Sequence, residues 1–141
     1  MRSARAVLIL LGLATGCAPR LAPFSELAYE QAISLKVDAL ALTSHAAEPF
    51  ARHREAALAL TLRLEKAYEF ARGRPRNEIS AQQWEILRDP ERNLLGGFLR
   101  RWESASTLSP AFIEEARRLI ADAFDTIIGL ESGKIKPDAV P

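Results

Sequence analysis

Apolar residues recur along this chain at helical spacing. From Glu26 to about His45, Tyr29, Ile33, Val37, Leu40 and Ser44 fall along one side of a helix with Leu35, Ala39 and Leu42 beside them, and Ser25 stands where an N-cap belongs. Pro49 suits the first turn of a second helix, in which Phe50, His53, Ala57, Leu60, Leu64, Ala67 and Ala71 follow one another at alternating steps of 3 and 4 residues. Gly73 then offers a left-handed stop. A third long helix opens at Ser109-Pro110, with Leu108 and Ile113 placed as a hydrophobic staple. Ile113, Ala116, Ile120, Ala123, Ile127 and Leu130 form its inward face, and Gly133 with Pro137 ends it. At about 1.5 Å per residue, three helices of some 20, 24 and 22 residues measure roughly 30–36 Å, a match that favours one bundle. No segment alternates with period two over a strand length.

Between the second and third long helices lies RGRPRNEISAQQWEILRDPERNLLGGFLRRWES. Ser80 and Gln83 are spaced as a capping box and Ile79 and Trp84 as a staple, which predicts a short helix from Ala81 to about Leu87. Asp89-Pro90 is read as the start of another, with Leu94, Leu95, Phe98, Leu99 and Trp102 on one face. Gly96 and Gly97 either break that helix or admit a second backbone at close range. The expected fold is therefore all-α: an antiparallel bundle of three long helices plus a short helical pair, resembling a four-helix bundle, over residues 25–133, with a tail at 134–141.

Composition narrows the function classes. The chain has 141 residues, 48% hydrophobic and 26% charged, with a formal charge of +1. That is enough for one domain with a core. It lacks the basic excess that displaces counterions from a phosphate backbone, so no nucleic-acid partner is expected. A single cysteine, Cys17, rules out an internal disulfide or a cysteine metal cluster.

The first residues are read apart from the fold. Arg2 and Arg5 make a short basic region, Ala6 to Leu13 an apolar stretch, and Ala14, Thr15 and Gly16 a run of small residues ahead of Cys17. Eight apolar residues are too few for a permanent span, which needs about 20. Leu13-Ala14-Thr15-Gly16-Cys17 resembles the lipobox of bacterial lipoprotein signal peptides, with Ala14 where that family most often carries leucine. The resemblance implies cleavage of a signal peptide at 1–16 and lipidation of Cys17, the new N-terminus. It also implies a membrane anchor, and Ala18 in place of aspartate points to the outer membrane, facing the periplasm. The mature chain then has 125 residues, with 17 basic and 18 acidic side chains. Residues 17–24 form a tether in which Pro19 and Pro23 favour extended backbone. Its eight residues reach at most about 28 Å.

Candidate chemistry is sparse. Seven arginines, Arg72, Arg74, Arg76, Arg88, Arg92, Arg100 and Arg101, stand against Glu78, Glu85, Asp89 and Glu91, and both tryptophans, Trp84 and Trp102, accompany them. Arginine with tryptophan is the composition of interaction hot spots and of anion-recognising surfaces, so these nine residues are the candidate surface for an envelope protein, peptidoglycan or phosphate-bearing lipid headgroups. The competing reading puts the tryptophans in the core and the arginines on a solvated, salt-bridged rim. His45 and His53, with Glu48 and Glu55 near, make a loose histidine–carboxylate group, but His45 also suits a helix C-terminus and His53 a packing face, so no metal or other cofactor is expected. CxxCH, HExxH and phosphate-loop motifs are absent, and no catalytic residue is assigned. The expected function is that of a non-enzymatic envelope lipoprotein. The alternative is a periplasm-facing module that binds or senses a ligand through segment 72–102.

Overall fold

The structure, a computed structural model, describes residues 22–140; the expectations placed on the signal peptide and on Cys17 lie outside those residues. Five α-helices pack together around one core: α1 (Glu26–Thr43), α2 (Arg54–Gly73), α3 (Glu78–Arg88), α4 (Leu95–Ala105) and α5 (Pro110–Glu131). Short 3₁₀ turns cover Phe50–Arg52 and Pro137–Ala139. Among the described residues there is no strand, and no helix is long and apolar enough to cross a membrane. Helix α1 lies against α2 and α5, α3 lies against the same two helices, and α4 joins through α3 and the Phe50 turn.

Two of the predicted caps are present. The Ser25 hydroxyl accepts from the Ala28 amide at 3.2 Å, and Ser109 accepts from Phe112 at 3.4 Å with Pro110 in the first turn of α5. Leu108 and Ile113 are both buried, as a staple requires.

The inward face of α1 differs from the expected one. Ala28, Ala32, Leu35, Ala39 and Leu42 are buried, whereas Ile33 is exposed and Val37 is 60% exposed. Apolar residues occur around the whole of α1, so periodicity leaves its rotation undetermined. Contact with both α2 and α5 selects the side carrying alanines, which admit two neighbouring backbones. On α5 the expected residues are buried except that Phe124, fully buried, takes the central place given to half-buried Ala123, and Gly129 and Glu131 are buried besides.

Several boundaries move, each for a local reason. Pro49 opens the 3₁₀ turn, and α2 starts only after His53. Two backbone bonds, Phe50 N–H to the Ser106 carbonyl and Leu108 N–H to the Ala46 carbonyl, both 2.8 Å, tie this link to the one between α4 and α5. Gly73 is not a left-handed stop. Among the described residues the positive φ angles belong to Arg76, Ser106 and Gly133, and α2 is closed by the Asn77 side chain, whose amide donates to the Ala71 carbonyl at 3.0 Å. Helix α3 begins at Glu78, so Ser80 is no cap: it lies buried within the helix, and its hydroxyl donates to Glu131. Asp89-Pro90 does not begin α4 either. The Asp89 carboxylate accepts from the Glu91 amide at 2.8 Å, which makes a turn, and α4 starts at Leu95.

The double glycine falls in the first turn of α4. A Cβ on Gly97 would collide with the Arg92 carbonyl and lie 3.3 Å from the Pro90 oxygen; one on Gly96 would strike the Arg88 carbonyl and lie 2.7 Å from the Asp89 carbonyl carbon. The glycines thus let the α3–α4 link fold directly onto the start of α4.

Candidate functional site

The two tryptophans proposed for a contact surface belong to the core. Trp84 is buried with its ring edge-on to Phe124 at 6.0 Å, and Trp102 has no exposed surface and packs edge-on to Phe50 at 5.4 Å. The indole N–H of Trp102 donates to the Glu48 carbonyl at 2.9 Å, which satisfies its one polar group. The physical reason is area: an indole at a staple or helix-face position gains more by burial than any rim contact supplies.

The seven arginines fall into two groups. Arg72, Arg74 and Arg76 lie where α2 passes into α3. Arg72 pairs with Glu69 at 2.6 Å, and exposed Arg76 turns the backbone at φ 60°. Arg74 is bound on two sides. One guanidinium nitrogen donates to the Glu131 carboxylate and another donates to the Pro23 carbonyl at 2.6 Å, so a single side chain joins the end of α5 to the segment leading into α1. Glu131 accepts from Ser80 with its other oxygen and is 5% exposed.

Arg88, Arg92, Arg100 and Arg101 surround α4 and the link before it. Arg88 donates to both oxygens of Glu65 at 2.8 and 2.9 Å and lies 4.0 Å from the Tyr68 ring centroid. Arg92 faces Asp89 at 3.7 Å, Arg100 pairs with Glu91 at 2.5 Å, and Arg101 lies 4.3 Å from the Phe112 ring centroid. A cleft of about 400 Å³ opens between α2 and α4, lined by Leu58, Leu64, Arg88, Leu99 and Arg100. The buried Nε of Arg88 has no hydrogen-bond partner. Arg100 also lines a second cleft, of about 360 Å³, with Arg92, Gly97 and Arg101.

A third constellation lies at the turn between α1 and α2. His45 Nδ1 is 3.2 Å from one oxygen of Glu48 and His53 Nε2 is 3.1 Å from the other. The imidazoles stack at 5.0 Å with 21° between their planes, and the three ligand atoms lie within 4.8 Å of one another. Hydrogen bonds from His45 and then His53 hold the Glu48 carboxyl below its ordinary range. Glu55, named with these residues from sequence proximity, is not part of the group.

The chain was compared with family models, with curated proteins and with solved structures. It matches none of them.

Sequence reasoning did not single out Ser80 and Glu131 as partners. A glutamate as the last residue of a helix signals nothing by itself, and an i, i+3 pattern at Ser80 reads as a cap until the helix start is known. The tie from Arg74 to Pro23 spans 51 positions and leaves no periodic trace.

Proposed function

We propose that this chain is a membrane-anchored lipoprotein of the cell envelope, held by a lipidated Cys17 in the outer membrane and facing the periplasm, with a non-enzymatic structural or protein-interaction role. The observation that carries this reading is the order of features before the domain: basic residues, a short apolar run, small residues and then the lone cysteine. The bond from Arg74 to the Pro23 carbonyl supports it from the folded side. Pro23 lies six residues after Cys17, a span of at most about 21 Å when extended. Anchored in this way, the domain rests near the bilayer with the end bearing Arg74 and Glu131 towards it. Phe24 and Leu27, 65% and 60% exposed, lie beside that attachment and offer apolar contact with the membrane.

The finer arrangement of the helices belongs to the same reading. Helices α1, α2 and α5, of 18, 20 and 22 residues, form the long antiparallel part, and α3 and α4, of 11 residues each, form the short pair that closes a fourth side. The contacts of α3 with both α2 and α5 support it. The partner in this reading is an envelope protein or peptidoglycan, met through exposed arginines such as Arg76, Arg100 and Arg101.

The test is Cys17→Ser in a Gram-negative host. Loss of radiolabelled palmitate incorporation and release of the protein from the outer-membrane fraction are expected, because one lipid-bearing residue provides the whole anchor. A variant that stays acylated and membrane-bound contradicts the reading.

The cleft between α2 and α4 favours a second reading, a ligand-binding or sensing module. Its wall joins apolar Leu58 and Leu99 to Arg88 and Arg100, with Glu65 and Glu103 in the same lining, so an amphipathic anion would bind there by competing with Glu65 for Arg88 and with Glu91 for Arg100. A fatty-acid carboxylate that raises the melting temperature of the wild type but not of Arg100→Ala supports this reading, and equal shifts in both proteins oppose it.

A further inference from the structure

We propose that His45, Glu48 and His53 form a binding site for a borderline divalent transition ion, with Zn²⁺ the representative case. Two imidazoles and one carboxylate are ligands that zinc, cobalt, nickel and copper accept, whereas magnesium and calcium require shells of oxygen. Bonds of about 2.0–2.1 Å in a tetrahedral shell place donor atoms about 3.3–3.4 Å apart. The two nitrogen–oxygen separations, 3.2 and 3.1 Å, lie just below that spacing and run to different oxygens of Glu48, so a turn of the carboxylate is needed to bring one oxygen onto the ion with both imidazoles. The remaining adjustment brings the ligand atoms in from a spread within 4.8 Å. The His45 side chain is 52% exposed and held by Glu48 and by its stacking on His53, while that of His53, 19% exposed, is also held against Trp102 with ring centroids 5.4 Å apart.

The backbone under these ligands is fixed in advance. The Trp102 indole N–H holds the Glu48 carbonyl, and the bonds from Phe50 to Ser106 and from Leu108 to Ala46 bracket the same link. A ligand set carried on a fixed loop loses less conformational freedom when an ion binds than one on a mobile loop. The bound ion would join the end of α1 to the start of α2, with its remaining coordination position open to water or to a partner's side chain. This site stands independently of the lipid anchor.

Isothermal titration of the full chain in detergent with ZnCl₂ tests the proposal. One ion per chain, bound with a dissociation constant on the order of micromolar and not displaced by millimolar Mg²⁺ or Ca²⁺, is expected. Loss of a partner outside the ligand shell weakens metal sites by about 10–100-fold, so His45→Ala and Glu48→Gln, which remove ligands, must each weaken binding at least as much. Circular dichroism confirms that both variants fold; Glu48→Gln retains the backbone carbonyl that Trp102 binds. Cu²⁺ supplies a second readout, because an ion at His53 quenches Trp102 fluorescence in the wild type but not at the same concentration in His45→Ala. Binding left unchanged by Glu48→Gln, or absent at millimolar Zn²⁺, overturns the proposal and reduces the cluster to a hydrogen-bonded turn.

Discussion

Glu131→Ala is expected to cost about 3–5 kcal/mol of unfolding free energy, measured by urea denaturation followed by circular dichroism. The Glu131 side chain is 2% exposed and that of Arg74 14%, so this pair is sequestered far more than the other ion pairs among the described residues. Removing the carboxylate leaves the guanidinium with the Pro23 carbonyl as its one hydrogen-bond partner and strips the Ser80 hydroxyl of its acceptor. Exposed pairs such as Arg118 with Glu115 contribute little, because water replaces either partner. The double variant Arg74→Met with Glu131→Leu isolates the cause. Replacing a buried pair by apolar groups is often neutral or stabilising, so the double variant is expected to be more stable than Glu131→Ala alone. A loss below about 1 kcal/mol in the single variant contradicts this account.

The second large effect is expected at Trp102. Trp102→Ala removes the largest fully buried side chain in the domain and is expected to destabilise by about 3–5 kcal/mol, read as a lower urea midpoint by circular dichroism. Three aromatic rings, Phe50, His53 and Phe98, lose their neighbour, and the Glu48 carbonyl loses its donor. Trp102→Phe separates these effects, since it retains much of the ring packing while removing the indole N–H. The hydrogen bond itself contributes about 0.5–1.5 kcal/mol. An alanine variant as stable as one at an exposed position would show that the core closes without this indole. Because Trp102 also holds the turn bearing Glu48, its loss should loosen the His45–Glu48–His53 group along with the core.

The core was largely legible in the pattern of apolar residues. The steps of 3 and 4 along α2 picked out Ala57, Leu60, Leu64, Ala67 and Ala71, all buried, because the opposite side, although it exposes Leu58 and Leu62, carries Glu55, Lys66 and Glu69. Helix α1 has no such contrast, and its orientation was misread. Side-chain caps were legible where residue type and neighbours agreed, as at Ser25 and at Ser109-Pro110. They were misread where a strong local signal was overruled: Ser80 has the spacing of a capping box but serves a carboxylate on another helix.

The candidate sites were legible in their ingredients and not in their arrangement. Arginine-rich segment 72–102 was visible, but which arginines are paired depends on partners as remote as Glu131 for Arg74 and Glu65 for Arg88. His45, Glu48 and His53 were visible as a loose set. Their convergence required the 3₁₀ turn at Phe50–Arg52, which places His53 before α2 begins.

By itself, the sequence determined the helical class, the faces of α2 and α5, and the caps at Ser25 and Ser109, because each depends on residues within a few positions of one another. Tertiary structure alone decided the rotation of α1, the burial of Glu131, the bond from Arg74 to Pro23, and the meeting of two histidines on one carboxylate. Each of these depends on which surfaces exclude water once the helices have packed, and that selection is made among groups distant in the chain.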